Sequence, residues 1–534
     1  MAVNVGAAQE LSTFVYPSED ELEEAFYRGE IDFIQLVTLQ ELIRSGIDST
    51  ELYLFDEIPN LSYFFDIGLL KISDLSAEQA EPFLDKATDA KLIKGKIIHN
   101  YSTRLEEDGD SRYRTRGEIG WQERLKAAFR LHREYSGVER FVYRRLELSP
   151  QKSPLKRIVL GNYSTRLGLG TVMGYRGKLL DFSNEISGES FLYPDYGGYN
   201  GLQLELKSGK SEGELVFSHI RDASHSLKTL AASFELGYKQ MKPTAIMAVT
   251  NLRNRVTGSS ITDFKYGLNL ESKYKNGYNR VELSAQSGEI NSFGAFITEG
   301  KHLFNQHEIG YAGWRYDDNY LDLTGGSKAA SIRRSVDIEE VDFSYSDKRG
   351  GQAGGLLKTT IGLADNLELI NSFIYAQRDH DNFNFEVLSA IEKKLKSNLL
   401  LRLDHVSRIK HRLESAQETE DIFRRSRIEL RLINPMLYVR TFLAYQSKTD
   451  KDDYISLFAS TKYKTERIGE LSLWLNLGEI NHNQGRIDYW YGYIENKSEL
   501  IENVRTVAKF THSYRRGESD EHISTVSVGV EVSI

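Results

Sequence analysis

Cysteine is absent from this chain of 534 residues, which excludes disulfides, thiolate zinc sites, iron–sulfur clusters and thiol nucleophiles. Proline is scarce too, at 8 residues, so few positions interrupt extended segments. No run approaches the ~18 consecutive apolar residues of a spanning helix, which excludes a helical membrane protein. An excess of basic charge is also missing. The 68 Lys and Arg are outnumbered by 77 Asp and Glu, and a net charge of −9 lacks the basic footprint of a nucleic-acid binder. Mean hydropathy is −0.45, a soluble average. That average still admits a membrane β-barrel, whose strands alternate apolar with polar residues. Aromatics are plentiful instead, with 30 Tyr and 25 Phe, residue types that favour strands.

The first 93 residues have a helical texture. Residues 1 to 15 read as a flexible N-terminus. Gly6-Ala7-Ala8 there would suit a cleavage site, and an export signal is expected to have been removed. Residues 16 to 93 form a small helical module of short helices. Ser18 and Glu21 make a capping box, and stops fall at Gly29, Gly46 and Pro59. From residue 94 to 534 the period changes to two. In ITDFKYGLNLESKY, Phe264, Tyr266, Leu268 and Leu270 alternate with Lys265, Gly267, Asn269 and Glu271. Asn276-Gly277, a hairpin signal, then precedes RVELSA. RSRIELRLINPMLYVRTFLAY, ELSLWLNLG, NFNFEVLSAI and NLLLRLDH carry the same pattern. Short turns at 363–366, 396–398 and 434–435 alternate with longer polar loops at 181–200, 325–336 and 414–420, the asymmetry expected of outer-membrane barrels. Tyr438, Tyr445, Tyr454, Tyr463, Tyr489, Tyr491, Tyr493 and Tyr514 sit where interfacial girdles would lie.

The chain closes on HISTVSVGVEVSI, with Val526, Val528, Val530, Val532 and Ile534 on one face. Ser527-x-Gly529-x-x-Val532-x-Ile534 resembles the C-terminal insertion signature of Gram-negative outer-membrane barrels, with Ile534 where Phe or Trp is usual. That resemblance implies an outer-membrane location and the barrel assembly machinery as a partner. RIVLGNYSTRLGLGTVMG, with Leu160, Gly161, Asn162, Tyr163, Gly168 and Gly170, resembles a stretch of Bacteroidota outer-membrane proteins that carry helix-hairpin-helix segments before a large barrel. LFDEIPNLS at 54–62 is similar to that helix-hairpin-helix unit. Pro59-Asn60-Leu61 stands where Gly-x-Gly is usual, so the close approach of backbone N–H groups to a phosphate is lost and no nucleic acid is expected.

Chemical motifs are few. Gly168-x-Gly170-x-x-x-Gly174 has its third glycine one residue late for a dinucleotide loop and reads as glycines at a strand bend. The 12 histidines are scattered without metal-ligand spacing. No catalytic, cofactor-binding or metal residue stands out, so neither an enzyme nor a cofactor is expected. Charge of both signs does recur on the polar face. With the apolar sets toward lipid, Glu205, Lys207, Lys265, Glu271, Lys273, Arg402, Asp404, Arg427, Glu429, Arg431 and Arg440 point into a lumen, because a charge facing the bilayer midplane costs about 2–4 kcal/mol.

The expected fold is mainly β: a transmembrane antiparallel β-barrel of about 24 strands, in a range of roughly 22–26, preceded by the small α-helical module. A barrel so wide is open, plugged or occupied by a partner protein. The expected function is a channel or translocation pore for a polar solute or macromolecule, surrounded by outer-membrane lipid. Residues 16 to 93 would serve as plug or periplasmic docking module. A structural scaffold or sheath in an envelope complex is the alternative, followed by a barrel-embedded lipid or peptide hydrolase and a DNA-uptake component.

Overall fold

A computed structural model describes residues 93 to 533, apart from positions in turns and loops of which the longest runs are 175–190 and 321–350. The helical module expected over residues 16 to 93 lies outside the described residues, except that Ile93 already begins the first strand. Ile534 lies outside them as well.

The described residues form 24 strands in one sheet. The wall starts with β1 (Ile93–Arg104), β2 (Ser111–Trp121), β3 (Leu125–Arg133), β4 (Arg140–Leu148), β5 (Leu155–Tyr163) and β6 (Tyr199–Ser208). It continues through β7 (Ser211–Arg221), β8 (His225–Leu236), β9 (Met241–Asn254), β10 (Ser260–Tyr274), β11 (Gly277–Gly288) and β12 (Ser292–Phe304). Next come β13 (His307–Tyr316), β14 (Ala353–Ala364), β15 (Leu367–Asp379), β16 (Asn382–Lys396), β17 (Leu399–Glu414) and β18 (Gln417–Ile433). It ends with β19 (Leu437–Lys448), β20 (Tyr454–Thr465), β21 (Gly469–Asn481), β22 (Arg486–Ile501), β23 (Val504–Arg515) and β24 (Glu521–Ser533).

Each strand pairs antiparallel with its sequence neighbour, and β24 pairs with β1 from Lys96↔Ser533 to Arg104↔Thr525. The meander is therefore closed, with no free edge among the described residues, which leaves backbone donors and acceptors paired where no water reaches. At ~4.8 Å between strands and a tilt near 40°, 24 strands enclose a circle on the order of 45–50 Å across.

Period two sorts the side chains. Phe264, Tyr266, Leu268 and Leu270 of β10 are exposed, as are Ile93, Ile97 and Tyr101 of β1 and Val528, Val530 and Val532 of β24. Their neighbours on the opposite face include Lys265, Asn269, Glu271, Ser102 and Ile98, all buried. In a closed wall the buried face is the inner one, so the outside is apolar and the inside polar. This is the form that crosses an outer membrane.

Hairpin chemistry fixes the register. β12 and β13 are joined through Asn305-Gln306, with Asn305 at φ 55°, a left-handed conformation that asparagine tolerates in tight turns. Such turns gather at one rim, together with the start of β1 and the end of β24, and the long connections 164–198 and 317–352 lie at the other. Two expectations are corrected. The loop expected at 414–420 is mostly strand, because β17 runs to Glu414 and β18 resumes at Gln417. In the expected girdle, Tyr445 and Tyr463 are exposed, but Tyr438 is buried. Tyr491 and Tyr493 pack on Trp474, with ring centroids 5.0 and 5.9 Å from it, on the inner face, because strand parity overrides position along the strand.

Candidate functional site on the inner wall

All eleven charged residues singled out in the sequence lie, by register, on the face opposite the exposed apolar side chains. Six of them meet in one network on β17, β18 and β19. Asp404 faces three guanidiniums: Arg427 Nη2 at 2.7 Å, Arg402 Nε at 3.2 Å and Arg425 Nη2 at 3.5 Å. Glu429 is gripped by Arg440, whose Nε and Nη2 donate to its two carboxylate oxygens at 2.6 and 2.9 Å. Arg431 also donates to Glu429, and Arg427 lies 3.4 Å away, joining the two carboxylates. Beside them Phe442 and Phe458 stack at 4.7 Å, and the Arg440 guanidinium sits over both rings. A network this dense satisfies charges whose burial would otherwise be costly.

Lys265, Glu271 and Lys273 lie together on β10. Glu271 accepts from Arg280 Nε at 2.9 Å and lies 3.0 Å from Lys273 Nζ, while Arg280 reaches Glu299 at 3.4 Å. Lys265 pairs loosely with Asp263 at 3.7 Å and lies over the Tyr320 ring at 4.7 Å. Glu205 pairs with Arg157 on β5, and Lys207 with Glu212 at 2.7 Å near an exposed turn. Arg145, Arg157, Glu214, Arg280 and Glu282 belong to the same inner wall. The inner parity of Arg280 and Glu282 was visible in RVELSA, but nothing local marked their partners.

Sequence reasoning missed the largest feature, the segment 165–174 after β5. It folds back on itself: Leu167 N donates to Met173 O at 2.9 Å and Gly170 N to Leu167 O at 3.1 Å. Leu167, Val172 and Met173 pack with Val159, Val216, Ala231, Ile246 and Ala248, inner-face residues of β5, β7, β8 and β9. Leu169 packs with Ala295, Ile297, Trp314 and Tyr316 of β12 and β13, and with Ala376 of β15. Gly168 and Gly170 are thus not at a bend within a strand, but in the turn of a small hairpin laid across the inside of the wall.

One carboxylate pins that hairpin. Glu282, fully buried, accepts from Thr171 N at 2.9 Å and from Leu169 N and Thr171 Oγ1. Tyr199 Oη donates to Gly174 O at 2.8 Å, and Tyr320 Oη to Thr171 O. Gly168 adopts φ +62°, and a Cβ there would lie 2.1 Å from Glu282 Oε2 and 2.6 Å from Ile246. Only glycine fits both conditions.

At the seam, Ser527 Oγ lies 2.7 Å from Ser102 Oγ, and Gly529 stands opposite Asn100, both on the inner face, whereas Val532 is exposed outside. Among the described residues no group of three His, Asp or Glu could hold a metal ion.

No protein-family model matches the chain, and no curated protein matches it. Solved structures are similar in shape. The translocation pore of the P pilus usher PapC aligns at TM-score 0.43 with 10% identity, over 82% of this chain and 99% of the usher chain. The siderophore receptor PirA of Pseudomonas aeruginosa aligns at TM-score 0.47 with 10% identity, over 83% and 80%. The FrpB iron transporter of Neisseria meningitidis aligns at TM-score 0.40 with 7% identity, over 84% and 82%.

Proposed function

We propose that this outer-membrane barrel is a passage for a polar solute or macromolecule, narrowed from within by the hairpin at 165–174. The observation that carries this reading is a closed wall, apolar outside, whose inner face is polar and whose width exceeds what its own side chains can fill. Ion pairs of both signs along β10 and β16–β19 make that interior hospitable to polar cargo without a single-sign filter there. Swelling of proteoliposomes in isotonic sugars of graded size tests it. Uptake with a defined size limit supports a passage, and vesicles as tight as empty liposomes refute it.

The inner-wall apolar cluster in which the hairpin takes no part, Ile370, Leu388, Ala390, Val406 and Phe423 of β15–β18, favours a second reading, a scaffold or sheath around a lumen-occupying or periplasmic partner. Co-purification of a stoichiometric protein from native membranes, with no sugar uptake, would favour the scaffold.

A further inference from the structure

The apolar outside is interrupted on β14–β18. There the register sets Thr359 beside Asn371, Asn371 beside Ser389, Ser389 beside His405 and His405 beside Ser426. All five share the outward parity of the exposed Leu357, Phe373, Ile391, Leu403 and Ile428 of the same strands. Two couples in the row are bonded: Ser389 Oγ donates to Asn371 Oδ1 at 2.9 Å, and His405 Nδ1 lies 2.9 Å from Ser426 Oγ. The small side chains of Ser389 and Ser426 leave a trough of about 600 Å³ along the row, beside the larger Ile391, Leu403, Ile428 and Leu443. That volume falls within the ~300–1,000 Å³ of small-molecule sites.

Height along the wall gives the row its meaning. His405 lies six residues above Leu399, the short-turn end of β17, and Ser426 seven above Ile433, the short-turn end of β18. At ~3.3 Å per residue and a tilt near 40°, both stand about 15–18 Å above the short-turn rim. The apolar band of an outer-membrane barrel is about 25 Å tall and its short turns are periplasmic, so the couple lies past the middle, toward the outer leaflet. Next above it on the same face is Arg424, flanked by Ser407 on β17 and Ser447 on β19. Arg424 is exposed, and among the described residues no partner meets its guanidinium, Asn371 Nδ2 or His405 Nε2. Hydrocarbon offers none either, so these groups require polar atoms from whatever lies against the wall.

We infer that this outward strip of β15–β19 binds one phosphate-bearing, acyl-chain lipid of the outer leaflet. Such a lipid already touches this face in the membrane, and its order of groups matches the order of the wall. Its phosphate meets Arg424, a charge-assisted pairing. The carbonyl, hydroxyl or amide groups of its acyl linkages lie just below the phosphate, level with Ser426, His405 and Ser389. Its chains continue down the surface of Leu403, Ile428 and Leu430. The site lies outside the wall, so it stands independently of the passage.

The test is native mass spectrometry of the intact protein in non-ionic micelles, titrated with dioleoyl phosphatidic acid or with dioleoylglycerol, which lacks the phosphate. The variants are R424Q and H405L/S426L. Both make the outer face more apolar, which assembly tolerates, and heat-modifiable migration verifies each fold. R315Q removes another exposed outward arginine, on β13, and reports attraction to any cation of this face. A built site retains one phosphatidic acid per barrel, about tenfold more weakly in R424Q and in H405L/S426L and unchanged in R315Q, and holds the diacylglycerol poorly. Unchanged affinity in either variant, an equal loss in R315Q, or equal retention of the two lipids overturns the inference. Displacement of the lipid by inorganic phosphate also overturns it, assigning Arg424 to a free anion.

Discussion

Glu429 and Glu282 show how differently two buried carboxylates serve one wall. Glu429 balances Arg427, Arg431 and Arg440, so neutralising it leaves three buried cations short of a counter-charge. E429Q is expected to lose about 3–5 kcal/mol of stability, read as a lower midpoint of urea unfolding in micelles. K207Q, which removes a pair between two largely exposed side chains, should lose under about 1 kcal/mol. Glu282 instead holds backbone N–H groups of the inner hairpin. E282A would orphan those donors at about 1–3 kcal/mol each and free the hairpin, so single-channel conductance should rise while E282Q lies between. An unchanged conductance in E282A would mean that the hairpin does not narrow the passage. The inward direction of these charges was legible from alternation alone. The partnership was not, because Thr171 and Glu282 are 111 residues apart and meet only once the wall is closed.

Among elements, β24 is the most instructive. Its alternation foretold a strand bound into something, and it pairs with β1 on one side and β23 on the other. The register refines what each residue of the tail does. Val528 and Val530 are exposed outside, so V528R, next to the middle of the strand, should cost about 2–4 kcal/mol and reduce assembled barrel in outer-membrane fractions. Gly529 faces inward, where a Cβ would lie 2.1 Å from Asn100 Oδ1. G529A should therefore impair closure by crowding, and N100A should restore it, with heat-modifiable migration as the readout. No rescue would mean that the glycine serves something other than the β1–β24 approach. The inner tyrosines mark the limit of sequence reading at this scale. Tyr491 and Tyr493 looked like girdle residues by position, yet one step of parity turns them onto Trp474. The hairpin at 165–174 left little trace because its packing surface is spread over strands from β5 to β15, and only the left-handed Gly168 and Gly170 hinted at a turn.

At the scale of the whole molecule, the strand count and the closure follow from the same alternation repeated along the chain. Each hairpin adds one outward apolar stripe and one inward polar stripe, and only closure leaves neither edge exposed. A wall built this way is stable without a filled interior, which is why the interior is free to carry function. Its charge is patterned rather than uniform: interleaved on β17–β19, mostly basic around Glu118 on β1–β3. The most direct test of a passage is single-channel recording in planar bilayers, on the intact chain and on the barrel lacking residues 1 to 92. A passage predicts discrete conductance steps from the inserted barrel. An inserted, heat-modifiable barrel that never conducts in either form would contradict it.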